Sequence, residues 1–123
     1  GVFPPEEHRF GIHGGDIETS LMLALKPEQV DMGQARHFHS QSEGRAAQGG
    51  TLGNGRSAKL GWQMQDYNPQ GAVGNAAEAT ADKGQVLLNA AGRQLARLLQ
   101  EVVDLPDTTL KQTAAYPAPH PAV

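Results

Sequence analysis

Leu87, Leu88, Ala91, Leu95, Leu98, Leu99 and Val102 recur at the three- and four-residue spacing of one helical face, while Arg93, Arg97 and Gln100 fall mostly away from it. A helix with so long an apolar stripe has to lie on a larger layer, which points to a layered fold. Its start has two readings. Asn75-Ala76-Ala77-Glu78 has capping-box spacing with Asn in place of Ser or Thr, and a start near Thr80 is the alternative. Gly84 and Gly92 each cost about 1 kcal/mol against alanine inside a helix, so tertiary packing must outweigh local preference. The pattern is lost after Asp107, where Pro117, Pro119 and Pro121 alternate with small residues and His120. An extended, loosely held tail is expected there.

Upstream, Phe10 to Leu25 reads as a short extended segment, a glycine turn and a helix beginning near Asp16. Gly14-Gly15 opens backbone angles closed to other residues, and Asp16 and Glu18 suit the positive end of a helix dipole. Ile17, Leu21 and Ala24 or Leu25 give that helix a core face, and Pro27 stops it at Leu25 or Lys26. Asp31 to Gly55 is polar and glycine-rich and is expected to form loops. Leu60-Gly61-Trp62-Gln63-Met64 is expected to be a short strand, followed by a turn at Asn68-Pro69-Gln70-Gly71. Val2-Phe3-Pro4-Pro5 shows no clear helix or strand start, and together with Gly1 in place of Met this suggests a truncated or processed chain.

Several function classes drop out on composition. The 123 residues fit one domain able to bury a core, with the 15 glycines bringing a hydrophobic share of 38% close to that of ordinary globular chains. Without cysteine there is no disulfide, thiolate metal cluster or cysteine nucleophile, so any metal must be held by nitrogen and oxygen. A net charge of -3 with no basic run argues against nucleic acid. Leu21-Met22-Leu23-Ala24-Leu25 is the longest apolar run, far short of the roughly 20 residues that cross a bilayer. No membrane partner and a soluble, cytoplasmic protein are expected.

The chemistry concentrates in His13-Gly14-Gly15-Asp16-Ile17-Glu18-Thr19-Ser20. An imidazole just before a glycine turn and a carboxylate in the first helical turn after it can converge on one cavity. The carboxylate could bind a divalent cation and the imidazole could ligate metal or move a proton. On local pattern alone, Glu18 as a dipole partner and His13 as a loop residue is the commoner outcome.

Phe10 to Leu23 resembles the His-Ala-Gly-x-x-Glu-Thr-Ser segment of the creatininase family. A second stretch, Gly71 to Gly84, resembles the family's Gly-Val-x-Gly-Asp-Pro-x-x-Ala-Thr-x-x-Lys-Gly segment. The resemblance covers approximately residues 10 to 104. It implies an α/β fold of three layers, α/β/α, with a largely parallel sheet, of which residues 1–105 are the C-terminal portion and residues 106–123 a Pro/Ala-rich tail. It implies a metal-dependent amidohydrolase acting on a small-molecule amide, with two divalent ions per complete site (zinc, manganese or iron) and a homohexameric assembly. Glu18 matches a metal-ligand glutamate and His13 the histidine that handles protons at the substrate. Trp62 could form an aromatic wall of the family's substrate cavity, although a partly buried packing residue is the commoner assignment for such a tryptophan. Asn75-Ala76 stands where the family has Asp-Pro. Arg9-Phe10 stands where creatinine-acting members carry an aromatic and an acidic residue, which argues against creatinine itself. The family's remaining ligands, a Glu-x-His, an aspartate and a His-x-Glu, have no counterpart in this chain and are expected in a missing N-terminal half.

His37-Phe38-His39 places two imidazoles on one face if extended, but with no third ligand evident the pair reads as exposed loop. His8, after Glu6-Glu7, reads as surface, and Gly53-Asn54-Gly55-Arg56-Ser57 as a flexible loop lacking a phosphate-loop ending. The leading expectation is a creatininase-type hydrolase of a cyclic or otherwise non-peptide C–N bond, incomplete in this chain. The rival is a non-catalytic assembly or binding module that keeps the family's C-terminal packing.

Overall fold

The structure is a computed structural model that describes residues 1–110, and the chain divides into two compact units, residues 1–91 and residues 92–123. The expected tail from residue 111 on, including His120, lies outside the described residues.

In the first unit, helix α1 runs over Pro5–Phe10. No apolar periodicity announces it. A proline in its first turn, Glu6 and Glu7 at the positive end of its dipole, and His8 and Arg9 at the negative end account for the start and stop of so short a helix. The chain then extends through Ile12 and His13, which donate backbone N–H groups to the Val73 carbonyl at 2.9 and 3.2 Å and receive the Val73 N–H on the His13 carbonyl at 2.7 Å. Helix α2 follows over Asp16–Leu25, the span that the sequence spacing predicts, and Pro27 turns the chain into a 3-10 turn at Pro27–Gln29.

Two expectations need correction here. The stretch from Asp31 to Gly55 holds strand β1 (His37–Phe38) and helix α3 (Gln41–Ala47) as well as loops. Ser40 and Glu43 form a capping box, which nucleates α3 in polar sequence without an apolar face. The expected strand at Leu60 to Met64 does not form. Residues 60–63 are irregular, and Met64–Tyr67 makes a single helical turn, α4, whose start is fixed by the Gln63 N–H donating to Asp66 Oδ2 at 3.0 Å. With the backbone satisfied locally and no neighbouring strand offered, alternation alone cannot hold an extended segment. The turn at Asn68 to Gly71 is present, closed by the Gly71 N–H on the Asn68 carbonyl at 2.9 Å.

Strand β2 (Gly74–Asn75) pairs antiparallel with β1, His37 opposite Asn75 and Phe38 opposite Gly74. Val73 to Asn75 is therefore flanked by the His13 segment and by β1. These two-residue strands are the only sheet among the described residues, and the largely parallel sheet is not formed by them.

Of the two readings for the long helix, the start near Thr80 is the one observed. Ala76–Glu78 is a 3-10 turn, and α5 spans Ala81–Val103 with the Thr80 hydroxyl accepting the Lys83 N–H at 3.3 Å. Asn75 makes no side-chain cap; its N–H instead donates to Glu7 Oε2 at 2.9 Å.

The interior of this unit is more polar than the composition suggests. Phe3, Val73, Ala76 and Ala79 are its buried apolar residues, alongside buried Glu7, Asp16, Ser20, Ser40, Ser42 and Asn68. Hydrogen bonding rather than apolar area holds its centre.

In the second unit α5 continues to Val103, followed by a 3-10 turn at Asp107–Leu110. The stripe expected to lie on a larger layer is uncovered here: Leu95, Leu98, Leu99 and Val102 are each more than half exposed. No helix among the described residues is long and apolar enough to cross a membrane.

Candidate functional site

The turn before α2 positions the two residues singled out from sequence. Gly14 has φ +65°, a left-handed conformation that favours glycine, and it reverses the chain so that His13 and the first turn of α2 face each other. Glu18 Oε2 accepts the Gly14 N–H at 2.6 Å and lies 3.3 Å from His13 Nδ1. Both side chains stay more than half exposed. The pair is thus convergent, anchored on one side by the glycine turn and open on the other. Glu18 also stands as a dipole partner, so its two sequence readings are compatible.

What holds this turn is a set of groups that the sequence reading did not single out. Gly15 offers no side chain to cap α2, and the buried carboxylate of Glu7 takes that role from α1. Its Oε1 accepts the Ile17 N–H at 3.4 Å while its Oε2 accepts the Asn75 N–H at 2.9 Å. One carboxylate therefore ties α1, α2 and β2 together where the dipole of α2 favours negative charge. Glu7 was hidden in sequence by its neighbour Glu6, which looks identical and is exposed.

A second tie lies one residue further on. The fully buried Asp16 accepts from Ser20 Oγ at 3.0 Å through Oδ1 and from Lys83 Nζ at 2.8 Å through Oδ2. Ser20 Oγ in turn accepts the Thr80 N–H at 3.1 Å. Gly84 packs so closely on α2 that a Cβ there would collide with the Ser20 carbonyl oxygen. Residues 13–20 and 73–84, far apart in sequence, form one hydrogen-bonded joint.

Trp62 is placed elsewhere. It lines a cavity of about 520 Å³ with Ile12, Lys59, Leu60, Met64 and Tyr67, and neither His13 nor Glu18 is among the lining residues. The indole is partly exposed, tilted against Tyr67 at 6.0 Å and covered by the Arg45 guanidinium at 4.9 Å. His37 and His39, which the sequence leaves as a loop pair without a third ligand, do have a third oxygen donor nearby in Glu43. The Ser40-Gln41-Ser42-Glu43 capping box was the sequence signal that could have found it.

The family model of creatininase, described as creatinine amidohydrolase, matches residues 1–99. The chain belongs to the creatininase family. Among solved structures, one described as "Putative creatinine amidohydrolase" from Bacteroides fragilis is similar, with 26% identity and a TM-score of 0.64. The similarity covers 85% of this chain and 41% of that one, so the chain spans well under half of the solved relative's length. No curated protein matches it. In this creatininase-family chain, the two segments that carry the family pattern are the two halves of the joint just described.

The family implies a bound metal, for which this chain offers an incomplete donor set. His13 and Glu18 bring one nitrogen and one carboxylate together, and no third histidine, cysteine or acidic side chain joins them among the described residues. Two donors do not make a closed metal centre. The pair fits as part of a ligand set and does not fit as the whole of one.

Proposed function

We propose that this chain is the C-terminal portion of a metal-dependent amidohydrolase that cleaves the C–N bond of a small cyclic amide, formamide or similar non-peptide amide. In this reading Glu18 contributes one carboxylate to a centre of two divalent ions, zinc, manganese or iron. The other ligands come from the remainder of a cytoplasmic, homo-oligomeric protein. Such ions, when bound, supply Lewis-acid polarisation of the amide carbonyl and a more acidic water.

The contribution of the chain's own residues is narrower. The His13 imidazole, held beside Glu18 at 3.3 Å, carries a proton to the departing nitrogen, which would otherwise leave as a very poor amide anion. Glu18, at that distance, orients the ring. Trp62, in its separate cavity, forms an apolar wall for substrate only if the rest of the protein brings that cavity against the His13 side. The convergence of His13 and Glu18 on a turn fixed by Glu7 and Asp16 is the observation that carries this reading.

The test uses the whole protein and measures bound metal and the hydrolysis rate of a panel of cyclic and formyl amides. His13→Ala is expected to keep its metal and lose about 10²- to 10⁴-fold in kcat. Glu18→Gln is expected to lose both metal and rate. Full metal and full rate in Glu18→Gln would remove it from the mechanism and favour the assembly module, while metal loss in His13→Ala would make the imidazole a ligand.

A further inference from the structure

His37, His39 and Glu43 place one ring nitrogen each and a carboxylate oxygen within 4.8 Å of one another. The two imidazoles are stacked, with ring centroids 3.7 Å apart and planes at 29°. His39 Nδ1 and Glu43 Oε2 are 2.8 Å apart. A hydrogen bond between His39 and Glu43 explains those two residues alone. It leaves unexplained why the exposed His37 ring folds back onto the same point instead of taking its place in water.

All three positions are fixed from outside the cluster. Backbone pairing of β1 with β2 sets His37 opposite Asn75. Asn68 Nδ2 donates to the His39 carbonyl at 3.0 Å. Glu43 Oε1 is held by the Ser40 N–H at 3.0 Å, which leaves Oε2 turned toward the rings. A carboxylate anchored through one oxygen presents the other in a fixed direction, here toward the rings.

We propose that His37, His39 and Glu43 form a binding site for a divalent transition metal of the zinc type. Zinc sits about 2 Å from nitrogen and oxygen ligands, so tetrahedral donor atoms lie roughly 3.3 Å apart. Exposed side chains already gathered within 4.8 Å close that gap by small rotations. Two imidazoles and one carboxylate select zinc, nickel or copper over magnesium and calcium, which prefer all-oxygen sets. With three protein donors the fourth position is left to water or to a group from a partner. The site would clip β1 to α3 and is independent of the proposed reaction, since it shares no donor with His13 and Glu18.

The experiment removes all metal from the whole protein with a chelator and titrates it with zinc(II) alone by calorimetry. Absorption by cobalt(II) in the visible serves as a second readout of coordination. Wild type is compared with His37→Ala/His39→Ala and with His13→Ala. The wild type is expected to take up one zinc more than the His37→Ala/His39→Ala variant, with affinity for that ion falling by more than about 100-fold. His13→Ala is expected to keep that ion. Equal zinc uptake by wild type and the double variant would overturn the proposal, as would an unchanged cobalt spectrum. Glu43→Gln, which keeps an acceptor for the Ser40 N–H, guards against misfolding. It is expected to weaken the same ion while circular dichroism stays that of the wild type, and full affinity in this variant would remove Glu43 from the site.

Discussion

Around Asp16, a carboxylate without solvent exposure is matched by Ser20 and Lys83, and Ser20 is matched again by the Thr80 N–H. Beyond Gly92, by contrast, Leu95, Leu98, Leu99 and Val102 stand more than half exposed along one face of α5. The first region buries Asp16 and Ser20 and satisfies both within the chain, leaving Asn75 Oδ1 as a buried side-chain atom without a partner among the described residues; the second carries apolar groups whose partner is not among the described residues. Two glycines in α5 mark the same contrast. Gly84 has backbone against it where a Cβ would go, whereas nothing among the described residues lies near the corresponding position of Gly92. Polar matching needs specific atoms at specific distances, so it identifies its partner. An apolar stripe specifies only that some surface covers it.

The sharpest way to break this comparison is at Gly84. In Gly84→Val the side chain meets the Ser20 carbonyl and the Ala24 methyl, so α2 and α5 must separate. Separation removes the Thr80–Ser20 and Lys83–Asp16 bonds together. The expected outcome is loss of cooperative thermal unfolding followed by circular dichroism, well beyond the usual 1–3 kcal/mol of an overpacked core. A melt like that of the wild type would mean that the helices are not held at this distance.

A smaller effect is expected from Lys83→Met. The methionine keeps most of the aliphatic bulk but leaves the Asp16 carboxylate buried with Ser20 as its side-chain donor. Removing one partner of a buried pair costs about 3 kcal/mol, to be read from urea unfolding with an unchanged slope. A cost below about 1 kcal/mol would mean that water reaches Asp16 and that the joint is looser than its distances indicate.

How legible these regions were in the sequence follows from the kind of interaction each uses. Helix α2 was readable to within about a residue at each end because Gly15, Asp16, the Ile17–Leu21 spacing and Pro27 are all local signals. The start of α5 was half readable: Thr80 competed with Asn75, and the choice was made by Glu7, 68 residues from Asn75, which takes the Asn75 N–H. Helix α1 carries no apolar period, and α3 is built on a four-residue capping box inside polar sequence, so a search for amphipathic pattern passes over both. At the candidate site, spacing across a glycine turn allowed His13 and Glu18 to converge, and the resemblance to the creatininase family singled them out. Glu7 and Glu43 were not, because each acts through a single carboxylate whose partner comes from another element or a backbone cap. The short strands were illegible for a related reason. Two-residue pairing at His37 and Asn75 is fixed by what lies beside it, and Leu60 to Met64, which looks more strand-like, has no such neighbour.

The smallest expected effect lies on the exposed face. Leu98→Gln keeps helix propensity almost constant, since leucine and glutamine rank closely, so the substitution reports burial and little else. In this chain Leu98 is 55% exposed, and the change is expected to stay within about 0.5 kcal/mol in urea unfolding. The informative measurement repeats the substitution in the whole protein. If the stripe is covered there, the cost rises to about 2 kcal/mol, in the range for burying an uncompensated polar group where a leucine had packed. A near-zero cost in both settings would mean that the regular spacing of Leu95, Leu98, Leu99 and Val102 is a solvated face despite its pattern. The contrast with the Asp16 joint would then be one between a structural element and an ornamental one. A large cost in this chain by itself would show instead that the face is already covered, and the exposure on which the comparison rests would be wrong.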